Sequence, residues 1–123
     1  APGAMARAGF GSVDLRAKHP RLITVDISGY GEEGDYATMK AYDLLVQAET
    51  VLAWVTGRAE GPGRVGVSCC DIACGMNAHA AVLEALIARF ITGQGKGIAV
   101  SLFDGMADWM TVPLLQFAGT GRN

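Results

Sequence analysis

The chain has little charge and few aromatic residues, histidines or cysteines for its 123 residues. Charged residues make up 18% and aromatic residues 7%, and ten Lys and Arg against twelve Asp and Glu leave a formal net charge of −2 at pH 7. Proteins that bind the phosphate backbone of nucleic acids carry clustered positive charge, so this balance argues against a nucleic-acid partner. Hydrophobic residues make up 50%, which is too many for a disordered chain and predicts a single folded unit.

The sequence also lacks an apolar run near the roughly 18 residues of a membrane span, and it lacks the basic-then-apolar start of a signal peptide. We therefore expect no membrane association and a location in the cytoplasm. The chain begins Ala-Pro-Gly without an initiator Met, and its last five residues, Gly-Thr-Gly-Arg-Asn, follow an apolar stretch. These two ends predict that the sequence is part of a longer polypeptide.

Cysteine is scarce and confined to one cluster, Cys69, Cys70 and Cys74. An odd number of cysteines is a poor disulfide framework, and neighbouring Cys69 and Cys70 cannot easily bridge each other. A structural zinc site needs four ligands, and His19 and His79 are the only histidines in the sequence. We therefore predict small buried thiols, a reducing compartment and no metal.

Apolar periodicity and glycine or proline breaks predict the order strand, loop, helix, helix, strand, helix after a short first helix. In chain order, the predicted elements are a helix over Ser12–Lys18 capped by Ser12, a strand over 21–28, a glycine-rich loop over 29–35, a helix over 39–56 ended by Gly57, a helix that follows Asp71 and ends at Gly93, a strand over 97–102, and a helix over 104–117, capped by Asp104, that bends or ends near Pro113. This order is typical of a parallel α/β sheet. Two strands are too few for a complete sheet, so others have to come from further sequence or another chain.

The helical spacing also predicts which faces are buried. Trp54 and Trp109 are expected in a core or an interface. The predicted buried stripes are Ala41, Leu44, Leu45, Ala48, Val51, Leu52 and Val55 on the helix over 39–56, and Ile72, Met76, Ala80, Leu83, Ile87 and Phe90 on the helix after Asp71.

Asp71 is the first candidate for chemistry, because it stands where a glycine-bearing segment meets a long apolar helix. Asp is a favoured helix N-cap, which explains the residue without any function. A carboxylate near helix amides is also kept ionised by the positive end of the helix dipole and can act as a nucleophile. The small residues Ala73 and Gly75 would leave room for a bulky substrate.

Residues 40–43, Lys-Ala-Tyr-Asp, are the second candidate. Lys40 and Asp43 are explained equally well as solvated residues of a first helical turn, and Tyr42 as a partly buried aromatic residue. A cation and a phenol at a helix N-terminus beside the 29–35 loop also suit a phosphate-bearing ligand.

Five groups of residues in matching order and spacing resemble the family III CoA-transferases, the CaiB/BaiF group that includes formyl-CoA transferase. They are Pro2-Gly3 with Arg7 and Gly9-Phe10; His19-Pro20-Arg21-Leu22-Ile23 through Ser28-Gly29-Tyr30-Gly31; Ala41-Tyr42-Asp43; Asp71 with Gly75; and Thr92-Gly93-Gln94-Gly95 with Val100-Ser101-Leu102-Phe103-Asp104. The resemblance implies that residues 1–123 are a central fragment of a Rossmann-like, parallel-sheet large domain. The N-terminal strands of the CoA site and the C-terminal small domain would be absent, and full-length members form intertwined homodimers.

The resemblance also implies the chemistry. Asp71 would be the nucleophile that carries CoA as an aspartyl thioester, and coenzyme A would enter as an acyl-CoA with a small carboxylic acid as the second substrate, without a metal. The residues that would bind CoA are Arg7, Lys40, Ala41, Tyr42 and Asp43. Backbone amides near Asp71 are expected to stabilise the negative charge of the reaction.

Two other functions remain open from the sequence. An acyl-CoA racemase of the same family would carry a histidine at the position of Tyr42, and a phenol with a pKa near 10 is a poor base at neutral pH. The difference favours transfer over racemisation. A non-catalytic oligomerisation fragment is the alternative from a different class, and such a fragment alone would be inactive.

Overall fold

A two-stranded parallel sheet links the two halves of the chain. The computed structural model describes residues 2–121, and strands β1 (Thr24–Ser28) and β2 (Gly97–Ser101) pair in register from Thr24 with Gly97 to Ser28 with Ser101. The helices are α1 (Ala4–Arg7), α2 (Ser12–Lys18), α3 (Asp43–Glu49), α4 (Leu52–Val55), α5 (Cys69–Thr92), α6 (Leu102–Trp109) and α7 (Thr111–Thr120). The parallel pairing and the helical crossover between the strands confirm the predicted α/β class.

Helix α2 has the predicted bounds, but Ser12 does not cap it. The N-cap is Gly11, and the Ser12 hydroxyl donates to Oδ1 of Asp26 on β1 at 2.7 Å. A second contact joins the Arg16 guanidinium to the Thr24 hydroxyl. These two bonds connect α2 to β1. Capping rules consider only neighbouring residues, so they could not predict that the Ser12 hydroxyl binds Asp26 instead of the helix.

The helix predicted over 39–56 is two helices. Helix α3 begins only at Asp43, and the helical conformation is interrupted at Val51, whose φ of 67° lies in the left-handed region. One residue earlier, the buried Thr50 hydroxyl donates to the carbonyl oxygen of Val46 at 2.7 Å, a bond that competes with regular helix geometry. Helix α4 has Thr56 as its C-cap, so Gly57 does not end it. Instead, Gly57 lies too close to the backbone of Gly61 to carry a side chain.

The helix predicted over 104–117 also divides, at Met110. Pro113 lies in the first turn of α7, where its missing N–H is not needed for the helix. Ser101, not Asp104, is the N-cap of α6: its hydroxyl accepts from the Asp104 amide at 3.0 Å and donates to Oδ2 of Asp104 at 2.7 Å. This reciprocal pair resembles a capping box. At the end of α5, Gly93 is the left-handed C-cap with φ 75°, as the sequence predicts.

The core lies where α3, α5 and α6 meet. Its buried members are Val46, Cys69, Cys70, Ala73 and Met106, with Tyr30, Ala41 and Phe103 among the half-buried residues packed against them. All three cysteines are free and buried, which confirms the predicted buried thiols.

The predicted buried stripe is wrong for α5 and mostly wrong for the helix predicted over 39–56, of which Ala41 and Leu52 are half-buried against the core. The buried face of α3 consists of Asp43, Val46 and Gln47, and small residues occupy that of α5 (Cys69, Cys70, Ala73, Cys74, Ala78, Ala85). The larger apolar side chains face outward: Leu44 is 46% exposed, Met76 65% and Phe90 92%, and Trp54 and Trp109 are exposed as well. Small residues allow helices to approach closely, and periodicity alone cannot distinguish that face from one that packs on other sequence.

Helix α5 has the length and apolar composition of a membrane span. From the sequence alone, in contrast, we expect no apolar segment long enough to span a membrane. Length and composition are weak support for a span, because core helices meet the same test. Its small-residue face contacts α6 and both strands, as a core helix of an α/β fold does.

Candidate active site

The candidate residues gather at the carboxyl ends of the two parallel strands. Gly29 follows β1, and its carbonyl oxygen accepts a hydrogen bond from the amide of Phe103, just after β2, at 3.0 Å. A side chain at Gly29 would collide with Cβ of Ala41. Glycine therefore lets residues 40–43 lie directly against this edge, which is where open α/β sheets bind ligands.

Residues 40–42 present two polar side chains to solvent. Lys40 is exposed, Tyr42 is 66% exposed with an extended backbone, and Ala41 between them packs on the core. An exposed ammonium group beside an exposed phenol, on a segment anchored by Ala41, can contact a phosphate-bearing ligand.

Asp43 differs from its neighbours because its carboxylate faces the protein. The side chain is buried; Oδ1 accepts from the amide of Cys70 at 2.7 Å and, more weakly, from that of Asp71 at 3.4 Å. Oδ2 accepts from Nε2 of Gln47 at 2.6 Å. These bonds engage both carboxylate oxygens of Asp43.

Asp71 is the third residue of α5, not its N-cap. The helix begins at Cys69, and the N-cap Ser68 makes no side-chain capping bond. The Asp71 side chain is exposed, and none of residues 2–121 donates a hydrogen bond to its carboxylate. The capping explanation of this residue is therefore wrong, and a free carboxylate stands at the start of the helix.

Three amides at the start of α5, next to Asp71, already donate hydrogen bonds within the protein. The Cys69 amide donates to the carbonyl oxygen of Val67 at 2.8 Å, and the Cys70 and Asp71 amides donate to Asp43. A developing oxyanion would need donors other than these three groups.

The buried thiols and Asp43 form the group of potential metal ligands that the described residues contain. One donor atom from each of Asp43, Cys69 and Cys70 lies within 4.8 Å of the others. Burial, and then the negative charge of Asp43, raises the pKa of Cys70 to about 12, whereas a metal requires the thiolate. Burial and the charge of Asp71 also raise the pKa of Cys74. Both oxygens of the Asp43 carboxylate already accept hydrogen bonds from the protein.

Arg7 lies apart from the other candidates. It ends α1, and the neighbouring residues 2–6 line a cavity of about 680 Å³ with β1 and α2. Among the described residues that line this cavity, none comes from 40–43 or from α5. The structure thus brings residues 40–43 to the start of α5, which carries Asp71. Arg7 stands on a different element, at the end of α1.

Gln47 is the site residue that sequence reasoning missed. It is fully buried, and besides contacting Asp43 its Oε1 accepts from the Val65 amide at 2.8 Å. The available signal was its position one helical turn after Asp43, on the same face of the helix.

Comparison with known proteins identifies the class. The whole chain, residues 1–123, matches the model of CoA-transferase family III, and the chain belongs to this family. The solved structure of a CAIB/BAIF family protein from Brucella suis superposes with a TM-score of 0.92 at 31% identity, over 98% of this chain and 32% of that one.

Curated relatives carry CoA-transferase names. The chain is 39% identical over 123 residues to an acetyl-CoA:oxalate CoA-transferase of Acetobacter aceti, covering 98% of this chain and 32% of the relative. It is 40% identical over 111 residues to an acyl-CoA transferase of Fusarium pseudograminearum, covering 89% and 24%. A succinyl-CoA:glutarate CoA-transferase of Mus musculus is 32% identical over 111 residues, covering 89% and 26%. The chain therefore spans about a quarter to a third of the length of these relatives.

Proposed function

We propose that the protein containing this chain is a CoA-transferase that moves CoA from an acyl-CoA to a small carboxylic acid through a thioester on Asp71. The observation that carries the proposal is the exposed carboxylate of Asp71, which accepts no hydrogen bond from the described residues and lies on the first turn of α5. Asp43 binds the backbone amides of this turn and directly follows the residues that present Lys40 and Tyr42. Membership of the CoA-transferase family supplies the reaction class.

The reaction would proceed by acyl substitution at each carbonyl. The Asp71 carboxylate attacks the acyl-CoA carbonyl and forms a mixed anhydride, releasing the CoA thiolate. The thiolate then attacks the aspartyl carbonyl of the anhydride, which forms aspartyl-CoA and releases the first acid. The acceptor carboxylate attacks aspartyl-CoA, the thiolate leaves again and attacks the acceptor's carbonyl, and Asp71 is regenerated. Because carboxylates are weak nucleophiles, position and charge stabilisation have to come from the protein.

We assign CoA binding to Arg7, Lys40, Ala41, Tyr42 and Asp43. Lys40 would neutralise phosphate, Tyr42 and Ala41 would contact the carrier beside it, and Asp43 would contribute through its main chain. Arg7 would act from the end of α1. A homodimer and a cytoplasmic location are part of the same proposal, and three free buried thiols are compatible with a reducing compartment.

Trapping the intermediate tests the proposal. The complete protein that contains this chain is incubated with acetyl-CoA or succinyl-CoA and hydroxylamine, and Asp71 is mapped by mass spectrometry with Asp71→Asn as the matched control. A hydroxamate at Asp71, together with transfer to oxalate or glutarate that the variant lacks, supports transfer. Exchange of the substrate α-proton with Asp71 unmodified would favour racemisation, and the absence of both reactions would favour a non-catalytic role.

A further inference from the structure

Helix α5 begins without a cap of its own, although it carries Asp71 in its first turn. Ser68 stands at the N-cap position and makes no side-chain bond to the helix amides. The acceptor comes from another helix: Oδ1 of Asp43 binds the Cys70 amide at 2.7 Å and the Asp71 amide at 3.4 Å. A carboxylate at this end also interacts favourably with the helix dipole.

Gln47 fixes the orientation of the Asp43 carboxylate. Its Nε2 donates to Oδ2 of Asp43 at 2.6 Å, and its Oε1 accepts from the Val65 amide at 2.8 Å. Asp43 and Gln47 are both buried, so water cannot readily replace these bonds. The first turn of α5 and the loop that leads into it are therefore both held by two side chains of α3.

The Asp71 side chain has no comparable restraint. It is exposed, and no hydrogen bond from another described residue, in the range 2–121, reaches its carboxylate. Its placement relative to Lys40 and Tyr42 consequently depends on the backbone of its own turn, which Asp43 holds.

We propose that Asp43 is a positioning residue for Asp71, whose buried carboxylate holds the first turn of α5 in the orientation required for nucleophilic attack. This inference rests on the proposed CoA-transferase function. It assigns to the Asp43 side chain a role different from contact with CoA, and it makes Gln47 part of the same positioning network.

Asp43→Asn tests the network with little change in shape. The carbonyl of the new side-chain amide can still accept from the Cys70 amide, but its NH2 group would face the NH2 group of Gln47, donor against donor. A second change, Gln47→Glu, restores the pairing, because a glutamate carboxylate accepts both from this NH2 group and from the Val65 amide. The double variant D43N/Q47E therefore reverses the direction of one hydrogen bond and keeps the other short ones, while it removes the two long bonds from Nε2 of Gln47 to the carbonyl oxygens of Val65 and Val67 at 3.4 and 3.5 Å.

The measured quantity is the rate at which Asp71 is converted to its CoA thioester in the complete protein at saturating succinyl-CoA. We expect Asp43→Asn to slow this step about 100-fold, the scale of a misplacement near 1 Å, with less than about a threefold change in KM. The double variant should recover most of the lost rate. Thr50→Ala is the matched control: it removes a buried hydrogen bond in α3 that does not reach α5, and it should lower stability without slowing thioester formation.

The outcomes separate this inference from the proposed function. If Asp71 of the unmodified protein never acquires CoA, the proposed function fails. If Asp71 is modified and Asp43→Asn reacts at the unmodified protein's rate, or loses affinity with kcat unchanged, the positioning role is overturned. A folded double variant as slow as Asp43→Asn would also overturn it, and if that variant does not fold, the kcat and KM of Asp43→Asn decide alone.

Discussion

The amide of Val65 donates to Oε1 of Gln47 at 2.8 Å, although the two residues stand 18 positions apart in the chain. Through this bond the loop before α5 is held by a fully buried side chain of α3. The same side chain binds Asp43, so the loop, the helix start and residues 40–43 form one hydrogen-bonded unit.

Gln47→Leu should destabilise the protein because it keeps a similar volume and removes every hydrogen bond of the Gln47 side chain. Two of them are short, with Oδ2 of Asp43 and the Val65 amide, and two are longer, from Nε2 to the carbonyl oxygens of Val65 and Val67 at 3.4 and 3.5 Å. The Val65 amide and Oδ2 of Asp43 would lose their partners in a buried region, so we expect the free energy of unfolding to fall by about 3 kcal/mol. Urea unfolding of the complete protein measures the change. Gln94→Leu, at an exposed glutamine, should change it by less than about 0.5 kcal/mol, and equal losses in the two variants would contradict the expectation.

Lys40→Ala should weaken CoA binding. Loss of a charge-assisted hydrogen bond to phosphate is expected to raise the Kd for CoA about 10- to 100-fold, with smaller effects at high salt. Calorimetric titration of the complete protein with CoA measures the constant. Lys96→Ala removes another exposed lysine, next to β2, and should leave the Kd unchanged. A Kd that Lys40→Ala does not move would exclude the phosphate contact.

Cys70 should make the protein less stable at alkaline pH. Burial raises the pKa of this thiol from 9.0 to about 12 in the folded protein, with further contributions from Asp43 and Cys69. Between these values the unfolded chain loses the proton and the folded protein keeps it, so the stabilisation is complete below pH 9 and is lost as the pH rises toward 12.

The contribution of Cys70 can be isolated by comparing how steeply stability falls with pH in the unmodified protein and in Cys70→Ala. Burial also raises the pKa of Tyr30, which contributes in the same direction, so a decline at high pH is expected even without Cys70. Unfolding midpoints measured from pH 8 to pH 10 should fall less steeply in Cys70→Ala than in the unmodified protein, whatever the variant's stability at pH 8. Parallel slopes would show that the thiol does not titrate differently in the two states.

Val51→Gly should stabilise the chain at the break between α3 and α4. A β-branched residue at φ 67° is strained by roughly 1–2 kcal/mol, and glycine adopts this conformation without that strain. Part of the gain is offset by the entropy of glycine in the unfolded chain, so we expect a net increase of about 0.5–1 kcal/mol. The thermal midpoint of the complete protein measures it, with Val55→Gly, inside α4, expected to lower the midpoint. A lower midpoint for Val51→Gly would be inconsistent with backbone strain at this residue.

The sequence predicts the parallel α/β class well because it depends on local signals. Alternation in β1, the glycine-rich loop after it and the Gly93 cap each act within a few residues, and all appear in the structure. The break at Val51 could not be predicted, since the apolar spacing continues across it, whereas the bend predicted near Pro113 lies three residues after the observed break at Met110. The buried faces were predicted wrongly because many large apolar side chains of this chain remain exposed, while small residues form its helix contacts.

The candidate site was predictable only in part. From the sequence, Asp71 and residues 40–43 are two separate candidates, and the structure joins them through the bonds of Asp43 to the start of α5. The roles of these residues stay predictions. The capping of α5 by Asp43 joins residues 27 and 28 positions apart, and no local pattern encodes such a contact. The engagement of the Cys70 and Asp71 amides follows from the same contact, so the sequence could not show that these two donors are occupied.

Residues 40–42 directly precede Asp43 in the chain, and this continuity has a consequence for how affinity and reactivity are related. Under the proposed function, a displacement of Lys40 and Tyr42 on binding of the nucleotide end of CoA would move the adjacent carboxylate of Asp43, which binds the helix start that carries Asp71. Contacts far from the thioester could thereby raise the reaction rate as well as the affinity, and shortened thioesters that lack the nucleotide would then react slowly even at saturation.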